Sequence, residues 1–386
     1  MTEHVVNDKE KKILKRLSMF QKQDYSFESG HILGSMCSHP HPIAKKAYNQ
    51  FLETNIGDPG LFPGTKKIEY HFLDFIKKLV NAPKTASGHV VSGGTEGNIA
   101  AMWIAKRLTG KKEIILPASA HFSFQKIASL MDMKLVSIPL TEQHTLNVSK
   151  LKKRLSHNTA TVVGIAGSTD VGAIDPIPEL SELCKDEHIF LHIDAAFGGF
   201  IIPFLKQLGY NVPTMDFSLP GISTLSLDAH KMGYAAIPLG TLVVREKSWL
   251  EKISVQSQCI STKKQVGILG TRPGAPVAAG YAVTQYLQQQ GYKQLIKEIM
   301  ELTQYTIKKI TDIGLSLVTK PTLNVITVQV NHLDELVEKL ETYGWKVNKI
   351  NHLSSFRIVI MPQITKKIID EFIPVLEKTC YEVDEL

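Results

Sequence analysis

The stretch Leu225-Ser226-Leu227-Asp228-Ala229-His230-Lys231-Met232-Gly233 decides how the rest of the chain is read. An apolar, strand-like run stops at a His-Lys pair, which sets a lysine at the end of a buried strand. Burial disfavours the ammonium form, and an amine that sheds its proton near neutral pH is a nucleophile toward carbonyl carbon. The pattern predicts Lys231 as a Schiff-base lysine. A His-Lys pair by itself more often opens a surface loop, so the reading rests on three further stretches.

Upstream, Phe190-Leu191-His192-Ile193-Asp194-Ala195-Ala196-Phe197-Gly198-Gly199 is an apolar run ending in a carboxylate. An acid at a strand end, paired with a Schiff-base lysine, is what pyridoxal phosphate asks of a protein: the charge keeps the pyridine nitrogen protonated and makes the ring an electron sink. Val90-Val91-Ser92-Gly93-Gly94-Thr95-Glu96-Gly97-Asn98 precedes a helical pattern from Ile99 to Leu108. Glycines at a strand-to-helix turn let backbone N–H groups and a helix N-terminus meet a phosphate. The order Gly-Gly-Thr-Glu-Gly-Asn lacks the G-x-G-x-x-G spacing, which disfavours a nicotinamide enzyme. Pro117-Ala118-Ser119-Ala120-His121-Phe122-Ser123-Phe124 places an imidazole just past the next strand, where His121 could stack on the cofactor ring.

Together these stretches resemble the group II pyridoxal-phosphate decarboxylases of the aspartate-aminotransferase fold, most closely the archaeal tyrosine/aspartate decarboxylases. The resemblance extends from Gly34-Ser35-Met36-Cys37-Ser38 through Asn55-Ile56-Gly57-Asp58-Pro59-Gly60-Leu61-Phe62-Pro63-Gly64-Thr65 to Phe356-Arg357-Ile358-Val359-Ile360-Met361-Pro362. It implies an α/β chain of fold type I, with a mostly parallel sheet in a large domain and a small α+β C-terminal domain. It also implies decarboxylation of an L-amino acid through Lys231, aspartate to β-alanine or tyrosine to tyramine.

By the same resemblance Asp194 pairs with the pyridinium nitrogen, His121 stacks on one ring face and Ala196 packs on the other. Gly94, Thr95 and His230 are assigned to the phosphate. Ser168 stands where the family usually carries Thr, and both offer one hydroxyl. Thr271 and Arg272 are assigned to the cofactor, with Arg272 reaching toward the phosphate across a homodimer interface so that active sites are shared. Arg357 is the candidate for the substrate carboxylate, which a guanidinium grips with two parallel hydrogen bonds, and Ser35 lies near the substrate mouth. Three positions depart from the archaeal pattern. Ala229 replaces Pro, Gln363 replaces His, and Cys259 stands where the family has a loop tyrosine thought to reprotonate the substrate carbon.

Other readings compete. A carbon–carbon lyase of the sphingosine-phosphate type would share the Lys, the Asp and Thr271-Arg272-Pro273-Gly274, although the Gly-Asp-Pro-Gly-Leu-Phe loop is typical of the small decarboxylases. Cys259 in place of tyrosine would fit a decarboxylation-dependent oxidative deaminase, and a non-catalytic binding protein would not need Lys231 and Asp194.

The bounds agree with a cytoplasmic enzyme. The 386 residues are 43% hydrophobic, enough for a large core and a smaller appendage. The net charge of +7 is spread over helix faces, as at Lys77-Lys78, so no nucleic-acid partner is expected. Four cysteines, Cys37, Cys184, Cys259 and Cys380, have neither metal-ligand nor disulfide spacing, and no run is long and apolar enough for a membrane span. The first 20 residues read as an amphipathic helix with Ile13, Leu14, Leu17 and Phe20 on one face. Strand-like and helical runs then alternate from Lys66 to Pro273, which predicts a sheet covered on both faces. The expected division is 1–65 for the N-terminal helix and active-site loops, 66–290 for the large cofactor-binding domain, and 291–386 for the small domain.

Overall fold

Seven strands form the sheet that carries the site: β1 (Ser87–Val91), β2 (Glu113–Pro117), β3 (Lys134–Ile138), β4 (Thr159–Ile165), β5 (Phe190–Asp194), β6 (Ile222–Asp228) and β7 (Gly240–Val244). The computed structural model describes residues 8–258 and 261–386. Spatial order is β1-β7-β6-β5-β4-β2-β3. The strands from β2 to β6 run parallel, and β7 is antiparallel to both of its neighbours. This is the mostly parallel α/β sheet expected.

Every residue of β2, β4, β5, β6 and β7 is buried. A strand buried on both faces divides its side chains by alternation. Accordingly Ile115, Val162, Leu191, Leu225 and Val243 join one apolar core, and Ile114, Val163, Phe190 and Leu242 join the other. On β5 the second face continues from Phe190 through His192 to Asp194. That face is covered by the helix Gly94–Thr109, which packs across β4 to β7. The functional residues therefore sit where apolar helix packing gives way to the open C-terminal edge of the sheet.

A two-stranded hairpin, β8 (Ser254–Gln256) and β9 (Lys264–Val266), follows. The small sheet has β10 (Ser316–Leu317), β11 (Val325–Gln329), β12 (Asn348–Ile350) and β13 (Ser355–Val359) in the antiparallel order β10-β11-β13-β12. It is backed by the helices Leu333–Thr342 and Lys366–Glu382.

The stretch Ala275–Asp312 is two helices that meet at a kink, where Gln288 has non-helical backbone angles. Past the kink, Tyr292 is fully buried against Phe204 and Phe200, which anchors the second helix. The division drawn at 65/66 runs inside the helix Pro63–Leu79.

Candidate active site

The strand ends converge on one cavity of about 430 Å³. Ser92, Gly93 and Gly94 reach it from beyond β1, Ser119 and His121 from beyond β2, Gly167 and Thr169 from beyond β4. Asp194 and Ala196 arrive from β5, and Asp228, His230 and Lys231 from β6. Met36 and Cys37 close one side.

Lys231 lies in the turn after β6, its N–H donating to the Asp228 carbonyl at 3.2 Å. Its Nζ is 3.2 Å from Asp228 Oδ2. Burial alone would push this ammonium down, but the charges of Asp228 and Asp194, helped by the hydrogen bond that Lys231 donates to Asp228, hold it above the ordinary lysine value. The expected depressed amine is thus corrected: in the free chain Lys231 is a paired cation. Sequence reasoning missed Asp228 as a functional group, although it stands three residues before the lysine. Its Oδ1 is buried without a partner.

Asp194 is buried at the end of β5, its Oδ1 accepting from the Ala196 N–H at 3.1 Å and its Oδ2 from Asn98 Nδ2 at 2.7 Å. His121 Nδ1 accepts from the Ser123 N–H at 3.2 Å. Burial, then Lys231, lower the His121 ring below the usual value despite the opposing pull of Asp194. The imidazole therefore borders the cavity in its neutral form, with Nε2 carrying the proton.

No side chain caps the helix Gly94–Thr109, so its first-turn N–H groups are available to an anion. A Cβ on Gly94 would lie 3.0 Å from the Ala196 methyl and 3.2 Å from Asp228 Oδ2. The missing side chain leaves a cradle at the mouth of the turn. His230 is held by Leu239, whose carbonyl is 2.9 Å from Nδ1, and its ring faces Gly93.

A carboxylate, an amine and an uncapped helix end facing one cavity match the three polar ends of pyridoxal phosphate: ring nitrogen, aldehyde and phosphate. The residues present fit the cofactor.

Five expected residues do not line this cavity. The Ser168 hydroxyl accepts from the Ala173 N–H at 3.0 Å, tied into its own turn, and Thr169 lines the cavity instead. The Ser35 hydroxyl accepts from the Cys37 N–H at 3.1 Å. Arg357 donates to the carbonyls of Thr169 at 2.5 Å and Gly34 at 2.7 Å. It stands behind the cavity and braces two segments that line it. Arg272 donates to the carbonyls of Val90 at 3.0 Å and Ile56 at 3.4 Å, with Glu69 at 3.7 Å. Neither Arg272 nor Thr271 lines the cavity of its own chain. Cys259 lies outside the described residues.

Comparison with known proteins decides the class. Residues 51–330 match the pyridoxal-dependent decarboxylase conserved domain. The chain belongs to this family. A probable L-tyrosine/L-aspartate decarboxylase of Methanosphaera stadtmanae is 42% identical over 369 residues, 94% of this chain and 95% of that protein. An L-aspartate decarboxylase of Thermococcus kodakarensis is 42% identical over the same coverage. An L-aspartate/L-glutamate decarboxylase of Pyrococcus horikoshii is 42% identical over 95% of this chain and 96% of that protein.

Among solved structures, a sphingosine-1-phosphate lyase of Burkholderia pseudomallei superposes with TM-score 0.89 at 24% identity, covering 99% of this chain and 93% of that one. A glutamate decarboxylase of Lactobacillus brevis gives TM-score 0.89 at 21% identity, covering 100% and 95%. At that distance the two neighbours share the fold and do not choose between lyase and decarboxylase chemistry. The family match and the 42% identical relatives do: this decarboxylase is a pyridoxal-phosphate-dependent carboxy-lyase acting on amino acids. No helix among the described residues is long and apolar enough to cross a membrane.

Proposed function

We propose that the substrate is L-aspartate or L-tyrosine and that Lys231, Asp194 and His121 do the chemistry at the cavity. The observation that carries the assignment of residues is the convergence of Lys231, Asp194, His121 and the glycine-led helix end on one cavity. The substrate choice is supported by the names of the 42% identical relatives.

Lys231 would hold the cofactor by its aldehyde carbon, Asp194 by its ring nitrogen and His121 and Ala196 by its ring, while the first turn at Gly94 and Thr95, with His230, would hold its phosphate. Bound there, pyridoxal phosphate supplies an electron sink for the pair left behind when the substrate carboxyl departs as carbon dioxide. Asp228, at 3.2 Å from Nζ, pairs with Lys231 in the cofactor-free chain and orients its side chain at the cavity. Arg357 fixes the Gly34 and Thr169 backbones, and so the walls against which the substrate is oriented.

The test is carbon dioxide release from a panel of L-amino acids, with Lys231→Ala as control. Turnover of aspartate or tyrosine by the wild type and none by the variant is expected. Release from neither amino acid overturns the substrate choice, and full activity of Lys231→Ala overturns the assignment of the lysine.

The active form in this reading is a homodimer in the cytoplasm. Support comes from the helix Asp8–Gln21, in which no residue is buried and Ile13, Leu14, Leu17 and Phe20 are exposed. Among the described residues nothing of the same chain covers that apolar stripe. Cys37, Cys184 and Cys380 are free, as a reducing compartment requires. A fully active monomer in sedimentation refutes the dimer.

A further inference from the structure

One buried polar cluster is larger than the chemistry so far uses. Asn98 sits one turn into the helix Gly94–Thr109 with 1% of its surface exposed. Its Nδ2 donates to Asp194 Oδ2 at 2.7 Å and to Ser123 Oγ at 3.2 Å. Its Oδ1 faces His192 Nε2 at 2.9 Å and Ser226 Oγ at 2.9 Å. His192 Nδ1 in turn lies 2.8 Å from Thr224 Oγ1. His192 and Asp194 share a face of β5 because they are two residues apart, and the register sets Thr224 and Ser226 beside them on β6.

The directions of these bonds follow from one fixed point. A carboxylate only accepts, so the amide nitrogen of Asn98 must face Asp194. The amide oxygen then faces His192 and Ser226, and both must donate to it. His192 therefore carries its proton on Nε2 and accepts at Nδ1 from the Thr224 hydroxyl. Burial pushes His192 down to about 4, which keeps the ring neutral. The chain of donors runs Thr224 to His192 to Asn98 to Asp194, each dipole aligned with the next and all aimed at the carboxylate. All four hydrogen-bonding positions of the amide are filled, so it cannot turn over without leaving donors face to face.

We propose that Asn98 and His192 are positioning residues that fix the Asp194 carboxylate toward the cofactor ring nitrogen, gripping it through hydrogen bonds from neutral groups. The proposal rests on the reading of Asp194 as the partner of that nitrogen. Among the described residues no Lys, Arg or His nitrogen stands in ion-pair contact with Asp194, whereas Asp228 is paired with Lys231. A carboxylate held by a cation would have part of its charge already answered. One held by an amide and a backbone N–H keeps its charge for the pyridinium.

The test uses holoenzyme carrying pyridoxal phosphate labelled with nitrogen-15 in the ring, in wild type, His192→Phe, His192→Gln and Asp194→Asn. His192 touches neither cofactor nor substrate, so an effect on the ring must pass through Asn98. His192→Phe should move the ring nitrogen signal toward its unprotonated position and lower kcat about 10- to 100-fold, the range for loss of a supporting hydrogen bond, with KM changed by less than about threefold. His192→Gln, which returns an N–H donor, should restore most of both. An unchanged signal and kcat in His192→Phe, with both changed in Asp194→Asn, overturns the relay alone. An unchanged signal in Asp194→Asn overturns the reading beneath it. Should His192→Phe fail to fold, the histidine nitrogen-15 spectrum of the wild-type apoprotein decides. The Nε2–H tautomer supports the relay, while an Nδ1–H tautomer or protonation near pH 6.5 overturns it.

Discussion

Replacing Gly94 by alanine tests where the phosphate is seated. The new methyl carbon would stand 3.0 Å from the Ala196 methyl and 3.2 Å from Asp228 Oδ2, both on the cavity wall. In the cofactor-free chain the two effects of the substitution oppose each other. Alanine favours helix over glycine by about 0.5–1 kcal/mol, and the crowding is relieved by a shift of a few tenths of an ångström. The Tm of the apoprotein should move by no more than a few degrees. With the cofactor bound in the proposed seating, Ala196 and the turn would have less room to shift, because both would be in contact with it. Overpacking of a filled site costs about 1–3 kcal/mol, which is about 5- to 150-fold in affinity. The assay is titration of apoprotein with pyridoxal phosphate, followed by the absorbance of lysine-bound cofactor, beside calorimetry of the apoprotein. Unchanged affinity with unchanged Tm would refute the placement of the phosphate at this turn.

The other predictions are briefer. Asp194→Asn should retain cofactor while kcat falls by at least about 100-fold, since an unprotonated pyridine is a poor electron sink; an unchanged kcat in steady-state assays means another group serves the ring. Arg357→Lys should lower Tm, because one ammonium cannot hold the Gly34 and Thr169 carbonyls together, at about 1.5–3 kcal/mol for a charge-assisted hydrogen bond. A rise in KM with no change in Tm would return Arg357 to the substrate carboxylate. Burial pushes His89 down to about 3 and His192 down to about 4, whereas the unfolded chain takes up those protons near pH 6.5. The unfolded state then binds more protons, so stability falls as pH drops from about 6.5 toward 4, at up to about 1.4 kcal/mol per pH unit per histidine. Asp175, pushed up to about 6 by burial, opposes this by one group below pH 6. A Tm that rises on acidification from about pH 7 to 5 contradicts the balance.

The fold was legible because the strands are buried on both faces. Runs such as Thr-Val-Val-Gly-Ile before Ala166 and Phe-Leu-His-Ile before Asp194 leave little alternative to a covered parallel sheet. Lys231, Asp194, His121, Gly94, Thr95, Ala196 and His230 were legible for a related reason: each closes or follows a strand, and strand ends in such sheets meet at one edge. Asp228 and Asn98 stood inside the same quoted stretches and were passed over. Asp228 ends a strand as Asp194 does, but the lysine after it drew the reading. Asn98 had a signal too, a polar residue among Ile99, Ala100 and Ala101 on a helix bound for the core, where a buried amide needs partners.

Both arginines make backbone contacts that the sequence did not announce, for a physical reason that applies to both. A guanidinium near a ligand site invites an anionic partner, and sequence gives no sign of backbone carbonyls that need a donor. Arg272 answers Val90 at the end of β1 and Ile56 in the loop beside it, and Arg357 answers Thr169 and Gly34. In each case one planar side chain joins a sheet-edge loop to a segment far away in sequence that the sheet itself cannot reach. Burial lowers both guanidiniums below their usual value, with Glu69 opposing at Arg272 and Asp170 at Arg357. The sites are dry enough that a lysine, a point charge with one head, could not replace the fork. The catalytic edge of the sheet is thus shaped by two arginines that do not border the cavity, and the loops they join differ in the two cases. Arg357 sets the segments carrying Thr169 and, two and three residues past Gly34, Met36 and Cys37, all on the cavity wall, so a substitution there must act on substrate orientation before it acts on cofactor retention. Arg272 sets the strand end that leads into Ser92, Gly93 and Gly94, so its loss must act on cofactor retention first.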